Sequence, residues 1–134
     1  MNVLVDTSVW SLALRRPVSQ ATAEGAELVE LIKEGRVTMI GAIRQEILSG
    51  IRAQEQFRKL RDRLRAFPDA KLDESDYEEA ATCFNRCRAK GVQGSNTDFL
   101  MCAVSLRRGL AILTTDKDFD AFARVLGLEL HEPR

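Results

Sequence analysis

Four carboxylates stand where the chain is otherwise apolar or small. Asp6 ends NVLVD, Glu46 lies within AIRQEILSG, Asp98 opens NTDFLMC, and Asp116 follows LAILTT with Asp118 two residues on. Singly, each has a plain structural use. Asp6 and Asp116 can cap the helices that follow them, and Asp98 is a favourable first-turn acid at the positive end of a helix dipole. Gathered at one edge of a sheet, the same groups would repel one another and raise each other's pKa values. Such a cluster persists when a cation neutralises it. Hard oxygen donors without histidine favour Mg²⁺ or Mn²⁺ over zinc. A divalent ion held in that way activates water and stabilises charge on phosphate oxygens, which is phosphodiester chemistry.

That reading needs elements that bring the acids together. Residues 2–6 (NVLVD) read as a short buried strand, and 8–14 as a helix closed off by Pro17. A longer helix is expected over 19–34, with Ala23, Ala26, Leu28, Leu31 and Ile32 as its apolar stripe and Gly35 as C-cap. VTMI at 37–40 is a second strand, AIRQEILSG a short helix ending at Gly50, and 53–65 a basic helix. After a brief extended piece at 67–72 around Pro68, Asp73 or Ser75 can cap a helix over 77–90. The loop GVQGSN supplies Ser95 and Asn96 as N-cap candidates for a helix over 96–108. LAILTT at 110–115 is the most strand-like run after the first, DKDFDAFARVL is a short helix, and LELH at 128–131 a last strand.

Short apolar strands alternating with helices predict an α/β fold with a mostly parallel sheet covered on both faces. Ligands in such folds bind outside the carboxyl ends of the strands. Asp6 and Asp116 lie at two such ends and would share one rim. Glu46, flanked by Ile43 and Ile47, is expected on or beside an apolar face, which makes it a candidate for a raised pKa and for general base.

The bulk composition excludes several classes. With 134 residues, 45% hydrophobic and 30% charged, the chain is expected to be one domain, 1–134, of an ordinary globular protein. It contains no run of roughly 18 apolar residues, so no membrane span is expected. The N-terminus shows no positive segment before its short apolar run and no small-residue cleavage site, so no signal peptide is expected. Cys83, Cys87 and Cys102 are an odd number. A metal pair at Cys83 and Cys87 lacks nearby histidine, since His131 is the only one, and free thiols in a reducing cytoplasm are the expectation.

Net charge is zero, but its distribution is uneven. From Arg52 to Arg65 the chain reads RAQEQFRKLRDRLR, with Arg52, Arg58, Lys59 and Arg61 among its cations. Phe57, Leu60 and Leu64 at helical spacing give this helix a core side, so its basic face is either solvated surface or a surface that tracks phosphates. Arg15 and Arg16, beyond the first helix, are further candidates for holding a nucleic-acid backbone.

In order, VDTSVW, IRQEILSG, NTDFLMCAVSLRRG and ILTTDKDF resemble the PIN domain, specifically the VapC-type toxins of type II toxin–antitoxin pairs, and the match spans nearly the whole chain. The resemblance implies a three-layer α/β/α sandwich with a mostly parallel central sheet of four to five strands. It also implies a Mg²⁺- or Mn²⁺-dependent endoribonuclease whose acids are Asp6, Glu46, Asp98 and Asp116. Thr114 matches the family's hydroxyl residue near the site, Thr7 or Ser8 the small polar residues after the first aspartate, and Asp118 a further acid, with the choice between Asp116 and Asp118 left open. The partners implied are an RNA substrate, a small VapB-like antitoxin, a second copy of the chain, and operator DNA reached only through the antitoxin. The resemblance also raises the weight of the basic helix as an RNA clamp.

Two other readings compete. A haloacid-dehalogenase-type phosphotransferase needs a second acid two residues after the first, and Ser8 stands there. A PIN-like binding module working through antitoxin and operator DNA, without cleavage, is the non-enzymatic alternative, and the intact quartet of acids argues against it.

Overall fold

The computed structural model describes residues 1–15 and 22–134. The expected helix end at Pro17, the start of the next helix at Ser19, and Arg16 lie outside the described residues, as does the side chain of Arg15.

Three short strands build a parallel sheet in the order β2–β1–β3, where β1 is Val3–Val5, β2 is Val37–Thr38 and β3 is Ala111–Leu113. Val3 pairs with Val37 on one side and Ala111 on the other, and Val5 pairs with Leu113. All three β1 residues and all three β3 residues are buried, as expected for strands covered on both faces. The Asp6 amide donates to the Leu113 carbonyl at 2.9 Å, which extends the ladder by one step and sets Asp6 beside Thr114.

The sheet is narrower than the four to five strands expected. Among the described residues, only single bridges extend it, Asp69 beside Met39 at one edge and Leu130 beside Ile112 at the other. At the first edge, Pro68 has no N–H with which to lengthen a ladder. At the second, the Ile112 amide donates to the Glu129 carbonyl and the His131 amide to the Ile112 carbonyl. The tail then turns onto a helix, where Glu27 meets His131 Nε2 at 2.5 Å and accepts from Arg134 Nε at 2.9 Å.

Seven helices are described. They are α1 (Thr7–Arg15), α2 (Ala23–Lys33), α3 (Gly41–Leu48), α4 (Gln54–Leu64), α5 (Glu74–Ala89), α6 (Asn96–Arg108) and α7 (Asp118–Leu126). Helix α1 packs on α2 and α3, α3 on α4, and α5 on both α6 and α7. Their ends follow local chemistry. Thr22 caps α2 by accepting from the Gly25 amide at 3.0 Å. Asp73, rather than Ser75, caps α5 in a reciprocal capping box with Asp76. Gly109, with φ of 64°, closes α6 in the left-handed region that favours glycine.

The core is aliphatic under the sheet and aromatic between α5, α6 and α7. Phe99 and Phe122 stand 5.0 Å apart between ring centroids, and Phe119 and Phe122 are also 5.0 Å apart. Gly94 sits against this cluster, since a Cβ there would lie 2.6 Å from the Phe122 Cζ. Asp76 is fully buried and ties α5 to α6, accepting from Arg107 Nε at 2.9 Å and from an Arg108 Nη at 2.8 Å. Burial pushes the Asp76 carboxyl up, but the Asp73 amide and the two guanidinium groups outweigh it, so it lies below the ordinary aspartate range. The three thiols are free and buried, and burial pushes Cys83 up to about 11.

Candidate active site

Parallel pairing puts the carboxyl ends of β1 and β3 side by side, and the residues just past them form the centre of the site. The Asp6 carbonyl starts α1 by accepting from the Val9 amide at 3.0 Å, so the backbone serves the helix while the side chain is directed elsewhere. Thr114 donates to Asp6 Oδ2 at 2.7 Å, and Ser8 donates to the same oxygen at 2.9 Å. Only 7% of Asp6 is exposed. Burial raises its pKa, the Thr114 and Ser8 hydroxyls lower it, the charge on Asp98 raises it, and the net displacement is upward.

Thr114 joins two acids. Its hydroxyl also accepts from the Asp116 amide at 2.9 Å, and Asp116 Oδ1 accepts from the Asp118 amide at 2.9 Å. Asp116 is half-buried in this chain of contacts, whereas Asp118 is exposed at the first position of α7. Geometry therefore connects Asp116, and not Asp118, to Asp6. Ser8 accepts from the Thr115 amide at 3.2 Å, which fastens the loop after β3 to α1.

The other two acids come from helices. Asp98 is half-buried in the first turn of α6, and its Oδ2 accepts from the Ser95 amide at 3.0 Å while Ser95 caps the Asp98 amide. The capping role and closeness to Asp6 therefore hold together. Glu46 departs from expectation. It is exposed, although Ile43 and Ile47 beside it are buried. Those two residues, four apart, point one face of α3 into the core, and Glu46 falls outside that face. The burial that made Glu46 a candidate for a raised pKa is absent, and the carboxyl pushed up is that of Asp6. Glu46 is instead held by Thr7, whose hydroxyl donates to Glu46 Oε1 at 2.8 Å. Thr7, Gln45, Glu46, Ser49 and Thr97 line an open groove of about 520 Å³ between α1, α3 and the start of α6.

The donor set suits a hard divalent cation: four carboxylates, hydroxyls that orient two of them, and no histidine or thiol contact. Among the described residues no three acidic, histidine or cysteine side chains converge to ligand spacing. Each carboxylate instead leans on a donor of its own: Asp6 on two hydroxyls, Glu46 on Thr7, Asp98 on the Ser95 amide and Asp116 on the Asp118 amide. Like charges favour that splayed arrangement over mutual approach.

The basic residues divide. Arg52 and Lys59 line a groove of about 690 Å³ together with Arg63, beside Leu14, Ile51 and Leu60. Arg58 is turned to Gln54 at 3.5 Å, and Arg61 Nε donates to Asp62 at 3.0 Å. Arg63 belongs to the cationic stretch visible in the sequence, but only the position of α4 shows that it faces the groove. Thr97 was not singled out by sequence at all, since a threonine next to a motif acid carries no signal of its own.

The comparisons agree with this geometry. The PIN domain family model matches residues 3–125. The chain is 31% identical over 129 residues to VapC ribonuclease Mb1587 of Mycobacterium bovis and equally to Ribonuclease VapC11 of Mycobacterium tuberculosis, covering 95% of this chain and 96% of each relative. Among solved structures it is similar in fold to FitAcB from Neisseria gonorrhoeae, with a TM-score of 0.73, 18% identity, and coverage of 98% of this chain and 97% of that one. VapBC2 from Rickettsia felis, bound to a DNA fragment from its promoter, matches with a TM-score of 0.72, 20% identity, and 98% of both chains covered. The parallel sheet, the acids at its rim and these matches together show that the chain belongs to the PIN-domain family and is of the VapC type.

Proposed function

We propose that the chain is an endoribonuclease dependent on Mg²⁺ or Mn²⁺, acting as the toxin of a toxin–antitoxin pair. The observation that carries this is the buried Asp6 carboxylate, held by Thr114 and Ser8 at the sheet rim with the Asp98 charge beside it. The curated relatives named ribonucleases support the activity, and the solved complexes of similar fold support an antitoxin partner.

Asp6 and Asp98 are the firmest candidates to hold the ion, with Glu46 and Asp116 completing the set. When bound, the ion would polarise the scissile phosphate and lower the pKa of a nearby water. The residues of this chain supply the rest. Thr114 and Ser8 keep the Asp6 carboxylate aimed at the rim, against the desolvation that favours its neutral form. Thr7 fixes one oxygen of Glu46 at the groove, leaving the other to take a proton from water, so Glu46 serves as general base from an exposed position. Arg52, Lys59 and Arg63 hold the RNA backbone, with Arg58 and Arg61 joining when phosphates displace their neutral and acidic neighbours.

The antitoxin is a small VapB-like protein that silences the chain, DNA is reached only through it, the toxin works as a homodimer, and the setting is the cytoplasm. In agreement with this, no helix among the described residues is long and apolar enough to cross a membrane.

The test is RNA cleavage by the purified protein. Cleavage is expected with Mg²⁺, lost with EDTA, restored by Mg²⁺, and abolished in Asp6→Ala. Cleavage that survives Asp6→Ala refutes the assignment, and full cleavage by Glu46→Gln at saturating Mg²⁺ rules out Glu46 as base. Unchanged RNA affinity and salt dependence after charge reversal at Arg58 and Arg61 removes those two from the clamp.

A further inference from the structure

A second concavity adjoins the carboxylate groove and differs from it in chemistry. It is a trough of about 480 Å³ between α5 and the start of α6, lined by Tyr77, Phe84, Asn85, Asn96, Thr97 and Phe99 with two alanines on its floor. Tyr77, Ala81, Phe84 and Asn85 fall on one face of α5 at helical spacing, and Ala80 and Ala81 leave room between the rings of Tyr77 and Phe84. Phe84 is fixed edge-on against Phe99, with centroids 5.3 Å apart at 69°. Tyr77 is 57% exposed, an unusual position for a large ring with no structural contact to justify it.

Thr97 lines both concavities, so the trough opens directly onto the groove that holds Glu46. Asn96, Thr97 and Asp98 are consecutive residues at the start of α6, which places the trough's amide one step from a candidate metal acid. No charged side chain lines the trough, so it offers nothing to a phosphate or an ion. It offers aromatic surface and two amides, Asn85 and Asn96, each able to donate and accept. That combination, a ring to stack on and amides to read an edge, is how proteins take up an unstacked base of single-stranded RNA.

We infer that this trough binds one nucleobase of the RNA strand, next to the phosphate held at the acids, and that Tyr77 is the stacking platform. The inference rests on the ribonuclease reading and adds a substrate class to it: single-stranded RNA with a splayed base beside the cut. Asn85 and Asn96 then set which base is preferred, while the acids remain indifferent to sequence.

The test is direct binding in EDTA, where no cleavage intervenes. Fluorescence anisotropy compares a labelled short single-stranded RNA with the same backbone lacking bases at alternate positions. The wild type is expected to bind the base-bearing strand about tenfold more tightly, the scale of one stacked base. Tyr77→Ala is expected to lose that preference and Tyr77→Trp to keep it, with far-UV circular dichroism checking that both fold. Equal binding of the two strands by wild type overturns the inference, as does full preference in Tyr77→Ala. A change of oligomer mass in Tyr77→Ala with the preference intact also overturns it, since the surface then belongs to a second copy of the chain. The two readings fail separately. A protein that prefers bases but never cleaves RNA with Mg²⁺ loses the nuclease reading alone, and one that cleaves without the preference loses only the pocket.

Discussion

Thr114→Val keeps the branched shape of the side chain and removes a single hydroxyl, the one that joins β1 to the loop after β3. That hydroxyl donates to Asp6 Oδ2 at 2.7 Å and accepts from the Asp116 amide at 2.9 Å. A hydrogen bond to a buried carboxylate contributes about 1.5–3 kcal/mol, and an amide left without its acceptor costs about 1 kcal/mol more. Ser8 still donates to the same oxygen at 2.9 Å and recovers part of this. The net expectation is a loss of about 2–3 kcal/mol at neutral pH, where Asp6 is charged in the unfolded chain.

The loss has a pH signature. The folded-state pKa of Asp6 already lies above the ordinary value of 3.8, because burial outweighs its hydroxyl partners, and removing Thr114 raises it further. A carboxyl that holds its proton more tightly when folded makes stability fall as pH rises through the window between the two pKa values. The Thr114→Val deficit should therefore be largest near pH 7.5 and shrink toward the ordinary value of 3.8, where the carboxyl is protonated in both states. Urea unfolding of both proteins at about pH 7.5 and about pH 4, without divalent metal, measures it. A deficit below ~0.5 kcal/mol at the higher pH, or one of equal size at both, refutes the reasoning. Cleavage should fall about 10- to 100-fold, the usual cost of removing a group that orients a metal ligand.

Three other outcomes follow from the same contacts. Asp6→Asn keeps acceptors for Thr114 and Ser8 while removing the desolvated charge, so its urea midpoint at neutral pH without metal should rise although cleavage is lost; a lower midpoint would contradict the upward displacement of Asp6. Asp76→Ala removes a fully buried carboxylate and leaves Arg107 and Arg108 unpaired at the α5–α6 junction, a cost of about 3–4 kcal/mol in chemical denaturation once their partial exposure is allowed for; a loss under ~1 kcal/mol would mean the cluster is dispensable. Gly94→Ala sets a methyl against the Phe122 and Phe99 rings, so thermal unfolding should show about 1–3 kcal/mol of destabilisation from overpacking, and an unchanged melting temperature would show that the rings yield freely.

Much of the fold was legible because its signals are local. The three-residue strands Val3–Val5 and Ala111–Leu113 lie inside the apolar runs that announced them, and the helices begin at Ser95 and Asp73 because those side chains reach amides three residues away. The width of the sheet was not legible. LELH has strand composition, yet the tail makes a single bridge at Leu130 before His131 and Arg134 draw it onto Glu27, more than 100 positions earlier in the chain.

The candidate site divides along the same line. By itself the sequence determined which acids exist, that Asp6 and Asp116 end parallel strands, and that Asp98 stands in a helix's first turn. Those are matters of type, period and neighbourhood. Only the tertiary structure decided what surrounds them. The parallel register sets Thr114 against Asp6 across 108 positions, and helix packing brings Thr7 to Glu46 across 39. Packing also decided that Asp6, not Glu46, is the desolvated carboxyl. Burial depends on what folds back over a residue, and the flanking isoleucines of Glu46 carry no record of that.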